Sequence, residues 1–158
     1  NPSNPTACLS CAPGYTCSIN EDLAIPCAPG SYKPTPASVC VTCKPGTYSS
    51  AYASTVCQLC APGTYASNSN STYCTNCSLN TYLPLSGSTT SNDCISCKSI
   101  ILSNFVTLTT GAASCGCASG YYLSNNTYCL QCKTACPANA TLTGSCPFGS
   151  TKDTTLCT

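Results

Sequence analysis

The chain contains no histidine, no tryptophan and no methionine, and carries five basic and four acidic side chains among 158 residues. Each shortage removes a class of function. Without histidine, the side chain best suited to acid–base work near neutral pH and to metal ligation is missing. The acidic residues are Glu21, Asp22, Asp93 and Asp153. Glu21 and Asp22 are sequence neighbours, a poor arrangement for separate acid and base roles, and calcium would want more carboxylates gathered together. No glycine-rich phosphate loop occurs, and no serine or threonine has an evident base. The chain is therefore not expected to be an enzyme, to hold a metal or to need a cofactor. A formal net charge of +1 argues against nucleic acid, which is bound through a basic surface. No run of 18 apolar residues exists, so no membrane span is expected within this chain.

Large apolar residues are also scarce. Phe, Leu, Ile and Val together number 23 of 158, too few for one shared hydrophobic core. Cysteine is what the chain has instead. Its 19 cysteines are about 12% of the residues, above the share that marks a disulfide scaffold. Cross-links can offset the entropy of ordering the chain, and they persist in an oxidising compartment. An extracellular or cell-surface location is expected. Ser and Thr, 46 of 158, stand where Lys and Glu usually do, as on surfaces covered by sugar or packed into an assembly.

The cysteines repeat. Cys-x-x-Cys pairs stand at Cys8/Cys11, Cys40/Cys43, Cys57/Cys60, Cys74/Cys77, Cys94/Cys97 and Cys129/Cys132. A recurring phrase follows the second cysteine: APGY after Cys11, APGSY after Cys27, KPGTY after Cys43, APGTY after Cys60, SLNTY after Cys77 and ASGYY after Cys117. From Cys27 to Cys117 the steps between opening cysteines are 16, 17, 17, 20 and 20 residues, the mark of a repeat architecture. Pro followed by Gly is a type II turn, with Gly at the positive φ. Asn80 takes the glycine's place after Cys77, and Asn tolerates positive φ next best. Tyr32, Tyr48, Tyr65 and Tyr82 each follow the opening cysteine by five residues and are expected to cover the neighbouring disulfide as each repeat's small core. Short strands and turns with essentially no helix are expected.

Spacing favours one pairing scheme, although connectivity is not deducible from sequence alone. The second cysteine of each pair opens a loop that the first cysteine of the next pair closes. This gives Cys27–Cys40, Cys43–Cys57, Cys60–Cys74, Cys77–Cys94, Cys97–Cys115 and Cys117–Cys129. The tail is read as interleaved, Cys132–Cys146 and Cys136–Cys157. Cys8, Cys11 and Cys17 form an odd set. Cys8 is the expected orphan, either because its partner lies outside the chain's start or because it links to another subunit. A competing reading is zinc: Cys40/Cys43, thirteen residues, then Cys57/Cys60 has zinc-ribbon spacing. Against it stand the unbroken tandem, the absence of histidine ligands and the number of thiols.

Asn70-Ser-Thr, Asn125-Asn-Thr and Asn139-Ala-Thr fit the N-glycosylation pattern, as does Asn76-Cys-Ser, where Cys77 sits in the middle. One stretch breaks the repeat: after Cys97 comes KSIILSNFVTLTTGAASC. Its apolar group Ile100, Ile101, Leu102, Phe105, Val106 and Leu108 is either a small local core or an interface with another subunit. The expected organisation is a partial repeat over 1–26, regular repeats over 27–94, an irregular apolar repeat over 95–116 and a further cysteine-rich part over 117–158.

Residues 27–77, CAPGSYKPTPASVCVTCKPGTYSSAYASTVCQLCAPGTYASNSNSTYCTNC, resemble the ephrin-receptor-like cysteine-rich repeats and the one-disulfide modules of tumour-necrosis-factor receptors. CGCASGYYLSNNTYCLQCKTAC resembles furin-like repeats. The low charge and the Thr/Ser/Ala-rich filler are similar to protist surface antigens, including ciliate immobilisation antigens. The resemblance implies an elongated solenoid of short β-ribbons and turns. Two functions follow as expectations. The preferred one is a glycosylated, self-associating structural subunit of a cell-surface coat or extracellular filament. The alternative is a receptor-type ectodomain that binds a protein ligand.

Overall fold

The computed structural model describes residues 11–17, 24–36, 39–99, 104–125 and 128–158. Cys8 and Ile100, Ile101 and Leu102 lie outside them. Among the described residues there is no α-helix; the regular structure is two- to four-residue strands and two 3₁₀ turns, Ser91–Asp93 and Cys97–Ser99. Every sheet has two strands. The chain forms two compact units, one of Asn1–Thr75 with Leu85–Asp93 and one of Asn76–Pro84 with Cys94–Thr158.

In the first unit Tyr15–Cys17 pairs antiparallel with Ala24–Pro26, Ser31–Tyr32 with Val41–Thr42, and Thr47–Tyr48 with Gln58–Leu59. In the second, Thr81–Tyr82 pairs with Ile95–Ser96, Phe105–Val106 with Gly116–Cys117, Tyr121–Ser124 with Tyr128–Gln131, and Leu142–Thr143 with Leu156–Cys157. These ribbons are too short to be stable alone. Disulfides clip them. The bonds are Cys27–Cys40, Cys43–Cys57, Cys60–Cys74, Cys77–Cys94, Cys97–Cys115, Cys117–Cys129, Cys132–Cys146 and Cys136–Cys157, with a short N-terminal loop closed by Cys11–Cys17. From Cys27 onward the pairs coincide with the scheme favoured by spacing. Cys43 and Cys57 are bonded to each other, and Cys40 and Cys60 to partners outside the zinc-ribbon set. The four sulfurs are thus consumed by covalent bonds.

The opening cysteines form the core. Cys27, Cys43, Cys60, Cys77, Cys97 and Cys117 are each between 0 and 2% exposed, whereas the closing Cys40, Cys57, Cys74, Cys94 and Cys115 are half-buried. The tyrosines share the core with the residues that follow them, and Tyr82 packs against the cluster of Cys97, Phe105, Cys117 and Cys129. Tyr32, Tyr48, Tyr65 and Tyr82 are half-buried, and the residue after each is the buried one: Lys33, Ser49, Ala66 and Leu83.

The turn before each tyrosine is held twice. The backbone N–H of Ser31, Thr47, Thr64 and Thr81 donates to the carbonyl of the residue after the opening cysteine, at 3.0–3.1 Å. The hydroxyl of the same residue donates to the same carbonyl, at 2.6–2.8 Å. Part of the hydroxyl-rich composition is therefore turn chemistry.

The repeats are joined by a second device. Ala53, Asn70 and Gly87 all have positive φ. Their N–H groups donate to the carbonyls of Cys27, Cys43 and Cys60, at 2.9, 2.8 and 2.8 Å. Their own carbonyls press on the turn glycine one repeat earlier. A Cβ added at Gly14, Gly30 or Gly46 would lie 2.1, 2.4 or 2.2 Å from the carbonyl oxygen of Ala53, Asn70 or Gly87. Each such loop thus touches the two repeats before its own. In the second unit Gly111 and Gly149 donate in the same way to Cys77 and Cys117, at 2.9 and 3.0 Å.

Candidate functional surface

The turn after Cys77 shows how a local departure is absorbed. Asn80 has φ of 61°. Its N–H donates to Thr107 Oγ1 at 2.9 Å, and Thr107 N–H donates to Asn80 Oδ1 at 3.4 Å. The apolar segment after it packs inward. Phe105, 8% exposed, belongs to a cluster with Cys97, Cys117 and Cys129, against which Tyr82, Cys115, Tyr121 and Leu123 pack. Val106 is half-buried and pairs with Gly116. The Phe105 ring is thus part of the small local core, one of the two places the sequence allowed for it. Leu108 remains exposed.

Charged groups are few, and two of them, Lys33 and Asp153, are engaged within the chain. Lys33 is 2% exposed, and its ammonium donates to the carbonyls of Cys11 and Tyr15. A buried cation requires such acceptors. Asp153 Oδ1 accepts from the N–H of Thr155 at 2.9 Å and from the Thr155 hydroxyl, and Oδ2 accepts from Lys133 N–H at 3.3 Å. The Thr155 hydroxyl foremost, then the Thr155 and Lys133 backbone N–H groups, hold this carboxyl below its usual value. Cys132, Cys146 and Asp153 bring possible metal-ligand atoms within 4.8 Å of one another, but the two sulfurs are bonded to each other. No thiolate remains there for a metal.

The surface is where the chain has something to offer. Val39, Val56 and Tyr73 each precede a closing cysteine, and they are 69, 61 and 72% exposed. The same repeat position thus presents an apolar side chain to solvent three times in succession within the first unit. A second feature is a cavity of about 470 Å³ lined by residues 65–73 and Thr75, all hydroxyl, amide or aromatic side chains apart from Ala66.

The sequon asparagines differ in their surroundings. Asn70, Asn125 and Asn139 are exposed and have positive φ, 63°, 50° and 69°. Asn76 also lies at the surface, but its Nδ2, the atom that would carry a sugar, donates to Thr110 Oγ1 at 3.3 Å. Its carboxamide packs on Gly111, where an added Cβ would lie 3.0 Å away. Sequence reasoning found these asparagines through the sequon and missed the apolar row, although alignment on the closing cysteines would have exposed it.

Fold and pairing together define a class: a disulfide-bonded, cysteine-rich repeat protein. Residues 46–94 match the family model described as tyrosine-protein kinase ephrin type A/B receptor-like, a match over just under a third of the chain. None of the curated proteins compared with the chain matches it. No helix among the described residues is long and apolar enough to cross a membrane.

Proposed function

We propose that the chain is part of an extracellular, non-catalytic ectodomain that presents an apolar row to a protein partner from a cross-braced repeat scaffold. The observation that carries this reading is that one repeat position leaves Val39, Val56 and Tyr73 exposed three times in succession. The match over residues 46–94 supports a receptor-type ectodomain. The resemblance of residues 117–158 to furin-like repeats and the likeness to protist antigens belong to the same reading. The sequon asparagines Asn70, Asn125, Asn139 and Asn76 carry Asn-linked glycan in it.

A second reading keeps the scaffold and changes the partner. In a cell-surface coat or filament the partner is another copy of the chain, and a net charge of +1 favours it, because nearly neutral surfaces associate. Sedimentation velocity and electron microscopy of the secreted protein separate the two. A monomer at high concentration supports the ectodomain. Oligomers or filaments that dissolve in the double variant Val56→Asp, Tyr73→Asp support the coat. Oligomers that persist unchanged in the double variant remove the apolar row from both readings.

A further inference from the structure

The geometry points to the loop around Asn70 as a prepared seat for the first sugar of the glycan that Asn70 itself carries. The inference rests on the glycosylation reading above and adds where the sugar lies.

Asn70 belongs to a loop that is fixed before any sugar arrives. Its N–H donates to the Cys43 carbonyl at 2.8 Å, the Ser71 carbonyl accepts from Ser49 N–H at 3.1 Å, and Ser71 Oγ donates to the Asn68 carbonyl at 2.7 Å. The side chain is oriented as well. Its Oδ1 faces Gly30, 2.6 Å from where a Cβ would stand. Attachment joins the sugar's anomeric carbon to Nδ2. The amide gives up one proton, and the diphosphate-lipid leaving group of an activated sugar donor departs with the electrons of the broken C–O bond.

The neighbourhood matches an N-acetylhexosamine in chemistry. The cavity holding Asn70 measures about 470 Å³, within the range of small-molecule sites. It contains no charged side chain. Its aromatic members are Tyr65, half-buried, and Tyr73, 72% exposed. A tyrosine presents an apolar ring face and a polar tip, which suits a sugar's C–H face and its hydroxyls. Ser67, Ser69 and Asn68 supply uncharged donors and acceptors.

The test uses the whole chain secreted from a host that adds Asn-linked glycans, with endoglycosidase trimming to one sugar per site. Glycopeptide mass spectrometry reads occupancy site by site. Proton NMR then reads the N-acetyl methyl of the sugar on Asn70, alongside Tyr73→Ser and Tyr73→Phe variants. The expected result is occupancy at Asn70 with an upfield-shifted methyl signal and cross-peaks to the Tyr73 ring. The shift is kept in Tyr73→Phe and lost in Tyr73→Ser. Occupancy at Asn70 with a methyl signal that Tyr73→Ser leaves unmoved overturns the seat and leaves the glycosylation reading standing. Occupancy at Asn139 with none at Asn70 does the same. Absence of glycan from every sequon overturns both.

Discussion

At the scale of the residue, the turn glycines carry two constraints at once. The place of Gly three residues after the opening cysteine made the first legible: φ at Gly14, Gly30, Gly46, Gly63 and Gly120 lies between 80° and 87°. The second, the carbonyl of a later loop against the glycine's Cα, was not legible, because it joins Gly30 to Asn70, forty residues on. Nothing lies within 4 Å of the Cβ position at Gly120, so the two constraints can be separated by experiment. Gly120→Ala is expected to cost about 1–2 kcal/mol for its left-handed backbone alone. Gly30→Ala is expected to cost roughly twice that or more, because the Asn70 loop must also move. Chemical denaturation of both variants checks the difference, and equal losses would mean the loop contact does not matter. The buried series Lys33, Ser49, Ala66 and Leu83 was hidden for another reason. Those four side chains share no chemistry, so the position is recognisable by its place in the repeat and not by its residue type. Lys33 can occupy it because two backbone carbonyls receive its ammonium, and Ser49 because its hydroxyl meets Ser54 Oγ at 2.6 Å.

At the scale of the element, hairpins this short depend on what ties their ends. The last one, Leu142–Thr143 with Leu156–Cys157, is joined by a connection in which Asp153 holds Thr155 just before the second strand. Its carboxyl is held below the usual 3.8, first by the Thr155 hydroxyl. A lowered folded value means the stabilisation is present above the unfolded value and is lost as the pH falls through the folded one. The protection factor of the Thr155 amide, its exchange corrected for the intrinsic pH dependence, is therefore expected to be high at neutral pH and to fall below about pH 3.8, with Thr47 and Thr64 in the first unit unaffected. Asp153→Asn should flatten that response; a response of the same size in the variant would place the titrating group elsewhere. The sequence showed that short ribbons would form and assigned the tyrosines to their core. It could not settle the segment after Cys97, where an apolar run serves a core or a surface equally well. Burial of Phe105 against Cys97 and Cys117 decides that residue for the core.

At the scale of the whole molecule, order comes from rungs rather than from one hydrophobic core. Loops closed by sequence separations of 12 to 21 residues from Cys27 onward each contribute about 3 kcal/mol by restricting the unfolded chain. The architecture was legible because the cysteines, the turn phrase and their spacing all point to one answer. What the surface is for was less so, since repeats of this kind specify a scaffold and leave recognition to exposed side chains. Non-reducing digestion of the native protein followed by mass spectrometry of the cross-linked peptides tests the rungs directly. The expected result is Cys43 joined to Cys57 and Cys60 joined to Cys74, with no free thiols among these four. A Cys40–Cys43 or Cys57–Cys60 bond, or free thiols accompanied by bound zinc, would contradict it.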